Sequence, residues 1–295
     1  MPTINIIGAG RIGSAIGGML KAKGIEVGMW DKNPTKCVGY SSCDECVKNA
    51  DILFLGIPCT ATREILKEIA PVLKKETIVV SFAKGIEEDT LKTTNQIAEE
   101  LLPKTAQFTL IQGPMLAEEM ERGFIGGGVC ATKEQKTFET LAELFKGTPL
   151  LLRYSPDIKS VGWGGILKNI YAIGAGILDG TGDRGNAKGI FIVHAIKEMK
   201  AIIRALGGDE SIIETEAGLG DLIATGFSVH SRHRRIGEMM AKEKIKEEGD
   251  GMSALRALPK ILKDQFSAFL LLSAIYEVME KGGESEGVYR ALSHL

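Results

Sequence analysis

The sequence predicts an α/β fold in which an N-terminal Rossmann-type, doubly wound sheet is followed by an all-helical C-terminal domain. In the first half of the chain, short apolar runs alternate with helical patterns, a G-x-G-x-x-G motif follows the first run, and no strand pattern occurs after about residue 155. The 295 residues suffice for about two domains. We therefore expect a first domain over residues 1–154 and a helical domain over residues 155–295.

The strand candidates are rich in Val, Ile and Leu, which is typical of strands buried on both faces. They span residues 3–7, 25–30, 51–57, 77–82, 107–111, 127–132 and 150–153. Helical patterns in this half cover residues 12–23, 61–73, 91–102 and 134–145. The alternation predicts a mostly parallel sheet with helices on both faces. The second half contains helical patterns over residues 158–178, 189–206, 230–241, 254–262 and 268–281.

The composition is that of a soluble globular protein, with 44% hydrophobic and 25% charged residues. A formal net charge of −2 argues against a nucleic-acid partner. No apolar run reaches the roughly 18 residues of a membrane span, and the best candidate, residues 266–276, is interpreted as a buried helix. The N-terminus has no signal-peptide pattern, and five cysteines fit reduced thiols in the cytoplasm better than a disulfide scaffold.

The motif Gly8-Ala9-Gly10-Arg11-Ile12-Gly13 lies between a predicted strand and a predicted helix, which is the context of a dinucleotide-binding turn. Its glycines permit a tight turn, close approach of the pyrophosphate and close helix–strand packing. Asp31 ends the second predicted strand, 18 residues after Gly13, where a carboxylate accepts hydrogen bonds from the ribose hydroxyls of NAD. NAD is favoured, but NADP stays open because Lys32 and Arg11 can offset the charge of Asp31. The expected cofactor-binding residues in this region are Gly8, Gly10, Arg11, Ile12, Gly13 and Asp31.

Two further segments follow predicted strands, at the sheet edge where ligands bind. Lys84 lies after the fourth strand, and the alternative for it is a solvated loop lysine. Gly113-Pro114 lies after the fifth strand and indicates a rigid turn, with an ordinary loop as the alternative.

Lys168 and Asn169 lie inside a strongly apolar helix, where neither side chain is buried cheaply without partners. Burial also lowers the pKa of a lysine, which suits proton transfer near neutral pH. The alternative is a lysine that snorkels to the helix edge.

Asp221 follows a Gly-Leu-Gly sequence, and a helix N-cap is its structural alternative. The Ser-Arg-His-Arg-Arg run at residues 231–235 combines arginine forks with a hydroxyl, which suits a phosphate; a solvated face or nucleic-acid binding is the alternative. Cys43 and Cys46 have no second pair or histidine at zinc spacing, so no metal site is expected.

In this order, the motifs resemble those of the NAD(P)-dependent glycerol-3-phosphate dehydrogenase family. The similarity is strongest for the ILKNIYAIGAGILDG run from Ile166, GNAK from Gly185, RALGGD from Arg204, AGLGDL from Ala217 and SRHRRIG from Ser231. It covers nearly the whole chain, is dense from about residue 155 to 240 and is thin after 250.

The resemblance implies reversible hydride transfer between NAD(P)H and C2 of dihydroxyacetone phosphate, which yields sn-glycerol 3-phosphate. It also implies roles: Lys168 as general acid/base with Asp221 as its charge partner, and Lys84 as a further group of the catalytic set. Substrate contacts are implied for Lys84, Asn169, Gly113, Thr225, Ser231, Arg232 and His233. Cofactor contacts are implied for Ala117, Arg232 and Lys84 in addition to the glycine motif.

The chain departs from the family pattern at two substrate-contacting positions, with Met115 where serine is common and His233 where asparagine is common. It is also shorter than usual between Asp31 and Ala50, and the glutamate-bearing cofactor segment expected after Glu248 is hard to find. Two alternatives therefore remain: a reductase of another small phosphorylated ketone or hydroxy acid, and a non-catalytic dinucleotide-sensing protein. The apolar helices of the second half predict a homodimer.

Overall fold

The computed structural model describes residues 2–182 and 185–294, and the chain divides into two compact units. The first comprises Met1–Ala83 and Lys92–Gly162, and the second comprises Lys84–Leu91 and Trp163–Leu295. This division differs from the expected one in two places, since residues 84–91 group with the second unit and residues 155–162 with the first.

A seven-stranded sheet forms the centre of the first unit, in the order β2-β1-β3-β4-β5-β6-β7. All neighbouring strands are parallel except β5 and β6, which are antiparallel. The direction of strand progression reverses between β1 and β3, which makes their carboxyl ends the switch point of a doubly wound sheet. The strands are β1 (Ile4–Ile7), β2 (Val27–Trp30), β3 (Ile52–Leu55), β4 (Ile78–Ser81), β5 (Gln107–Gln112), β6 (Gly126–Thr132) and β7 (Leu150–Ser155).

Alternate residues of the central strands enter two separate hydrophobic clusters, one on each face of the sheet. Ile6 and Phe54 belong to one cluster, whereas their neighbours Ile7 and Leu55 belong to the other. This is the consequence of the two-residue side-chain period of a strand, and it explains why the strands are apolar throughout. The helices that cover the sheet are α1 (Arg11–Ala22), α2 (Cys43–Lys48), α3 (Cys59–Ile69), α4 (Thr94–Leu101), α5 (Ala117–Glu121) and α6 (Gln135–Phe145).

Helices follow one another after residue 157, and every strand that the described residues form lies before it. They are α7 (Ile158–Gly180), α8 (Gly185–Ala205), α9 (Asp221–Phe227), α10 (Arg232–Glu243), α11 (Asp250–Leu262), α12 (Leu270–Glu280) and α13 (Glu286–Leu292). The predicted α/β fold with an all-helical C-terminal part is confirmed.

The long helix α7 is apolar on all sides because it lies in the core. It has the length and composition to cross a membrane, yet its most apolar window is entirely buried inside the protein. The predicted single buried helix over residues 266–276 is wrong in its first part. A 3₁₀ turn (Lys263–Ala268) without buried residues comes first, and α12 begins only after the extended residue Phe269.

Glycines allow α7 and α10 to cross at very short distance. A Cβ atom on Gly176 would lie 1.9 Å from the carbonyl oxygen of Arg234, and one on Gly237 would lie 2.0 Å from that of Ile173. Only hydrogen fits at either position, because real side chains never approach a backbone oxygen so closely. The crossing fixes α10 against the helix that carries Lys168 and Asn169.

Candidate active site

The glycine motif of the first unit forms a tight turn between β1 and α1. Gly8 has φ = +93°, a conformation that favours glycine, and a Cβ on Gly13 would lie 2.0 Å from the carbonyl oxygen of Gly8. Gly10 has far more space, because its nearest neighbour would be the Gly56 oxygen at 3.7 Å. Gly10 is also the N-cap of α1 and supplies no capping side chain. The helix N-terminus and its amide groups therefore fit a bound pyrophosphate.

Asp31 binds the glycine turn directly. Its Oδ2 accepts a hydrogen bond from the Ala9 amide at 2.7 Å, and its Oδ1 accepts one from the Asn33 amide at 2.8 Å. A cavity of about 410 Å³ lies beside this turn and is lined by Ala9, Gly10, Arg11, Ser14, Met29, Lys36 and Glu121. Each carboxylate oxygen retains a second lone pair for a ribose hydroxyl. These residues fit the dinucleotide that the motif predicts.

The other predicted residues of the first unit occupy different surroundings. Arg11 is exposed and forms an ion pair with Glu118 on α5, a partner that the sequence pattern does not indicate. Ala117 begins α5 and is buried, and the partly buried Ile12 packs on the hydrophobic core. Gly113 directly follows β5 and lies against β6, where a Cβ would lie 2.3 Å from the Gly127 oxygen.

The second unit brings Lys84, Lys168, Asp221 and Thr225 together in one hydrogen-bonded cluster. Nζ of Lys168 donates to Oδ1 of Asp221 at 2.8 Å and to Oγ1 of Thr225 at 2.7 Å. Nζ of Lys84 donates to Oδ2 of Asp221 at 2.5 Å. One carboxylate thus binds two ammonium groups, one on each oxygen.

Local structure delivers each member of this cluster. Lys168 lies at the middle of α7, and Lys84 directly follows the end of the 1–83 segment. Asp221 is the first residue of α9 and directly follows a π-helical turn (Glu216–Gly220). Thr225 lies one helical turn further along α9, on the same side as Asp221. The side chain of Asp221 therefore points to the lysines, and its alternative as the N-cap is wrong, because Gly220 holds that position.

Burial controls the electrostatics of the cluster. The side chains of Lys168 and Asp221 are 6% and 3% exposed, and that of Lys84 is 16% exposed, so the snorkelling and solvated-loop alternatives are wrong. Burial lowers the pKa of Lys168 to about 8, with Lys84 acting in the same direction and Asp221 opposing it. For Asp221, burial raises the pKa, but the two lysines outweigh it and hold the pKa below its usual value. The cluster therefore holds a lysine that can exchange a proton near neutral pH.

Asn169 is next to Lys168 and is 2% exposed. Its Nδ2 donates to the carbonyl oxygen of Lys84 at 3.5 Å, whereas its Oδ1 is buried and has no hydrogen-bond partner among the described residues. A buried acceptor without a partner is uncommon in native proteins, and a ligand hydroxyl would satisfy it.

His233 lies on α10 with its Nε2 3.3 Å from the amide nitrogen of Gly251, which donates a hydrogen bond to it. A neutral ring that accepts at Nε2 carries its proton on Nδ1. Burial, reinforced by the nearby charges of Lys168, Lys84 and Arg232, lowers the pKa of His233 to about 3. The ring is therefore neutral at physiological pH and can donate through Nδ1.

The three arginines of the 231–235 run have different environments. Arg234 forms ion pairs with Asp179 and Glu238, and Arg235 forms one with Glu247. Arg232 is exposed, and its Nη2 donates to the backbone oxygen of Glu248 at 2.7 Å. Ser231 is the N-cap of α10 and accepts from the amide of Arg234 at 3.2 Å. Of the three arginines in this run, Arg232 is therefore the best candidate for binding a phosphate, with Ser231 beside it.

Among the residues that the structure describes, no group of three or more His, Cys, Asp or Glu side chains is arranged to hold a metal ion. Cys43 and Cys46 are buried in α2, where burial raises the pKa of each thiol to about 12.

A doubly wound sheet with a dinucleotide-binding first turn, in a chain that also buries a proton-exchanging lysine, defines a nicotinamide-dependent dehydrogenase. Two family models match the chain: the NAD-dependent glycerol-3-phosphate dehydrogenase N-terminus over residues 32–138 and the C-terminus of the same family over residues 157–289. This chain belongs to the NAD-dependent glycerol-3-phosphate dehydrogenase family.

Individual relatives agree with this assignment. A glycerol-3-phosphate dehydrogenase (NAD(P)+) of Fusobacterium nucleatum is 33% identical over 93% of this chain and 87% of its own length. One from Nitratidesulfovibrio vulgaris is 34% identical over 86% of this chain and 82% of its own. The crystal structure of glycerol-3-phosphate dehydrogenase from Coxiella burnetii has the same fold, with a TM-score of 0.86 at 21% identity over 99% of this chain and 98% of that one. The predicted family, dehydrogenase class and NAD(P) dependence are confirmed.

Proposed function

We propose that this chain interconverts dihydroxyacetone phosphate and sn-glycerol 3-phosphate, with NAD(P) as the redox partner. The observation that carries the proposal is the buried Lys168–Asp221 pair at 2.8 Å, in a member of the glycerol-3-phosphate dehydrogenase family. The bound nicotinamide cofactor supplies or accepts the hydride at C2 of the substrate. We assign most cofactor contacts to the dinucleotide-binding domain (residues 1–154) and most substrate contacts to the helical domain (residues 155–295).

Lys168 is the proton donor for reduction. As C2 gains a hydride, its carbonyl oxygen becomes negative, and the ammonium group of Lys168 stabilises this charge and transfers a proton to the oxygen. The product hydroxyl keeps that proton, and the neutral amine regains one from water. In the oxidation direction the same amine removes the hydroxyl proton. Asp221 and Thr225 fix the direction of the Lys168 ammonium group, because Nζ of Lys168 donates one hydrogen bond to each of them.

Asn169 and Lys84 position the substrate in this proposal. The Oδ1 of Asn169, which has no hydrogen-bond partner among the described residues, accepts a hydrogen bond from a substrate hydroxyl. Lys84 is a second ammonium group bound to Asp221. The cluster of two lysines and one carboxylate therefore has a net charge of +1 when Lys168 is protonated. A positive cluster favours the developing oxyanion and the phosphorylated substrate.

Arg232, Ser231, Thr225, His233 and Gly113 complete the proposed substrate contacts. Arg232 supports this role best, because its guanidinium forms no ion pair with a carboxylate of the described residues and keeps donors for a phosphate. His233 offers one neutral N–H donor at the position where the family commonly has asparagine. Proposed cofactor contacts are Gly8, Gly10, Arg11, Ile12, Gly13, Asp31, Ala117, Lys84 and Arg232.

The test is oxidation of NADH and NADPH by the purified protein with dihydroxyacetone phosphate, beside a panel of other ketose phosphates and 2-keto acids. We expect turnover with dihydroxyacetone phosphate at a kcat/KM at least about tenfold above that of any other substrate. Preference for another ketone would contradict the substrate assignment. Binding of NADH without any turnover would indicate the dinucleotide-sensing alternative, which the family match does not favour.

We further propose that the enzyme acts in the cytoplasm as a homodimer without a nucleic-acid partner. The dimer is supported by exposed apolar side chains on α8 and around α9, namely Ile190, Val193, Ile223, Phe227 and Val229. Reduced thiols support the compartment, since no disulfide joins the described cysteines. Light scattering that gives the mass of two chains at micromolar concentration is the expected result, and the mass of one chain would contradict it.

A further inference from the structure

Arg256 on α11 binds three carboxylates that belong to three different segments of the second unit. Its Nε and Nη2 donate to Oε1 of Glu88 at 3.1 and 2.6 Å. Its Nη1 and Nη2 donate to the two oxygens of Glu248 at 3.3 and 2.7 Å, and its Nη1 also donates to Glu280 at 3.2 Å. All three nitrogen atoms of the guanidinium group are thus engaged with carboxylates.

Two of these carboxylates belong to segments that carry or contact a proposed site residue. Glu88 lies in the 84–91 segment, four residues after Lys84. Glu248 lies in the loop between α10 and α11, and its own backbone oxygen accepts the hydrogen bond from Arg232. Glu280 is on α12, which carries none of the proposed site residues, and its other oxygen pairs with Lys246 of the 244–249 loop at 2.7 Å, so that it has no link to the 84–91 segment other than Arg256 among the described contacts.

We propose that Arg256 is a positioning residue that holds the 84–91 segment so that Lys84 reaches Asp221, and holds the 244–249 loop so that Arg232 keeps its orientation. The inference rests on the proposed function. A planar guanidinium offers five N–H donors in a fixed fork, which an ammonium group cannot reproduce, so that arginine is required to bind all three carboxylates at once. Hydrogen bonds from Arg256 also lower the pKa of Glu88, which keeps this carboxylate ionised and bound.

The position of Lys84 has a consequence that a purely structural ion pair would not have. The charged groups close to Nζ of Lys168 are Asp221, which raises the pKa of Lys168, and Lys84, which lowers it, while His233 stays neutral. If the 84–91 segment is released, Lys84 moves away from Asp221. The pKa of Lys168 then rises, and the pH profile of the enzyme moves with it.

The experiment compares E88Q, R256K and E280Q in the full-length enzyme. E88Q and E280Q each remove one carboxylate charge from the same guanidinium, but only Glu88 is on the segment of Lys84. We expect E88Q and R256K to lower kcat/KM for dihydroxyacetone phosphate by about 10- to 100-fold and to shift its alkaline limb to higher pH. We expect E280Q to retain the wild-type limb and a kcat within about twofold of wild type, with only a lower Tm.

Three outcomes would overturn the inference: an unchanged pH limb in E88Q and R256K despite a lower Tm, equal kinetic losses in all three variants, or R256K that behaves as wild type. R63K is a further control, because Arg63 forms a similar two-pronged pair with Glu100 in the first unit. If wild type itself fails to turn over dihydroxyacetone phosphate, the proposed function is wrong. If wild type turns over and the variants keep its profile, only the role of Arg256 is wrong.

Discussion

Nζ of Lys168 lies 2.8 Å from Oδ1 of Asp221, and both side chains are almost completely buried. A buried pair of this kind is costly unless its remaining hydrogen-bonding capacity is satisfied. Thr225 accepts from the same ammonium group, and Lys84 occupies the second carboxylate oxygen. The charge of the carboxylate is therefore neutralised, and the two ammonium groups leave the cluster with one excess positive charge when both are protonated.

Replacement of Lys168 by alanine tests its role as the proton donor. We expect kcat to fall by about 10²- to 10⁴-fold, because the general acid is lost. Asp221 keeps Lys84 as its partner, so that the fold should persist. NADH titration by fluorescence should give a Kd close to that of wild type, since the glycine turn is unchanged. Wild-type turnover in the variant would exclude the assigned role.

The pH dependence follows from the pKa of Lys168, which is about 8. Reduction requires the protonated amine, so kcat/KM for reduction should be high below pH 8 and fall as the pH rises through it. Oxidation requires the neutral amine and should show the opposite trend. Initial rates from pH 6 to 10 in both directions measure this. Replacement of Lys84 by methionine should move both limbs to higher pH, because Lys84 lowers this pKa; limbs that stay in place would contradict the assignment.

Asp31 connects cofactor binding to the shape of the glycine turn. Replacement by asparagine puts an NH₂ group where an oxygen now accepts from the Ala9 or Asn33 amide. We expect the Kd for NADH to rise by about tenfold and the Kd for NADPH to rise less, because the negative charge that opposes the 2′-phosphate is removed. Fluorescence titration with both cofactors gives the two constants. The matched control is D44N, an exposed acid on α2. Equal effects of the two variants would speak against the cofactor role.

Arg232 and Arg235 differ in a way that kinetics can separate. R232A should raise KM for dihydroxyacetone phosphate by at least about tenfold, with a smaller change in kcat, because a charged hydrogen bond to the phosphate is lost. R235A removes an exposed pair with Glu247, but Glu248 of the same loop stays bound to Arg256, so KM should stay within about twofold. Similar KM values in both variants would show that the 231–235 run does not single out Arg232.

The low pKa of His233 leads to a prediction about the pH dependence of stability rather than about turnover. Its pKa is about 3 in the folded protein and near 6.5 in an unfolded chain. Between these values the unfolded state binds one more proton, so that this residue lowers stability as the pH falls from 6.5. H233N removes a penalty of about 2 kcal/mol at pH 5. Thermal unfolding at pH 7 and pH 5 should show a smaller loss of Tm in H233N than in wild type or in H230N, which replaces an exposed histidine; equal losses would contradict the neutral ring.

The alternation of strands and helices, the glycine turn and the importance of Lys168 could all be predicted from the sequence. Each has a local cause: the two-residue period of buried strands, the position of the motif after the first strand, or a polar residue in an apolar helix. The short helices α2 and α5 were not predicted, because five or six residues give too little periodicity. The prediction of a single helix over residues 266–276 was wrong, because the apolar run continues across a change from a 3₁₀ turn to an α-helix.

The pairing of Lys168 with Asp221 followed only from the family resemblance. The residues themselves do not predict the partners within the site, because these partners lie far apart along the chain. Lys84 and Asp221 are 137 positions apart, and nothing near either residue indicates the other. Which of Arg232, Arg234 and Arg235 forms ion pairs likewise depends on the carboxylates that the fold brings near each of them. Arg256 carried no motif signal, although the structure gives it more carboxylate partners than any of these three.

The glycine crossing of α7 and α10 restricts how this enzyme can be engineered. Glycines inside helices are standard targets for stabilisation, since Gly→Ala usually lowers the entropy of the unfolded chain. At Gly176 and Gly237 an added methyl group would collide with a backbone oxygen and drive α10 outward. Thermostabilising libraries should leave both positions unchanged and use open ones, such as Gly18 on α1, where an added Cβ meets no atom of the described residues within 4 Å.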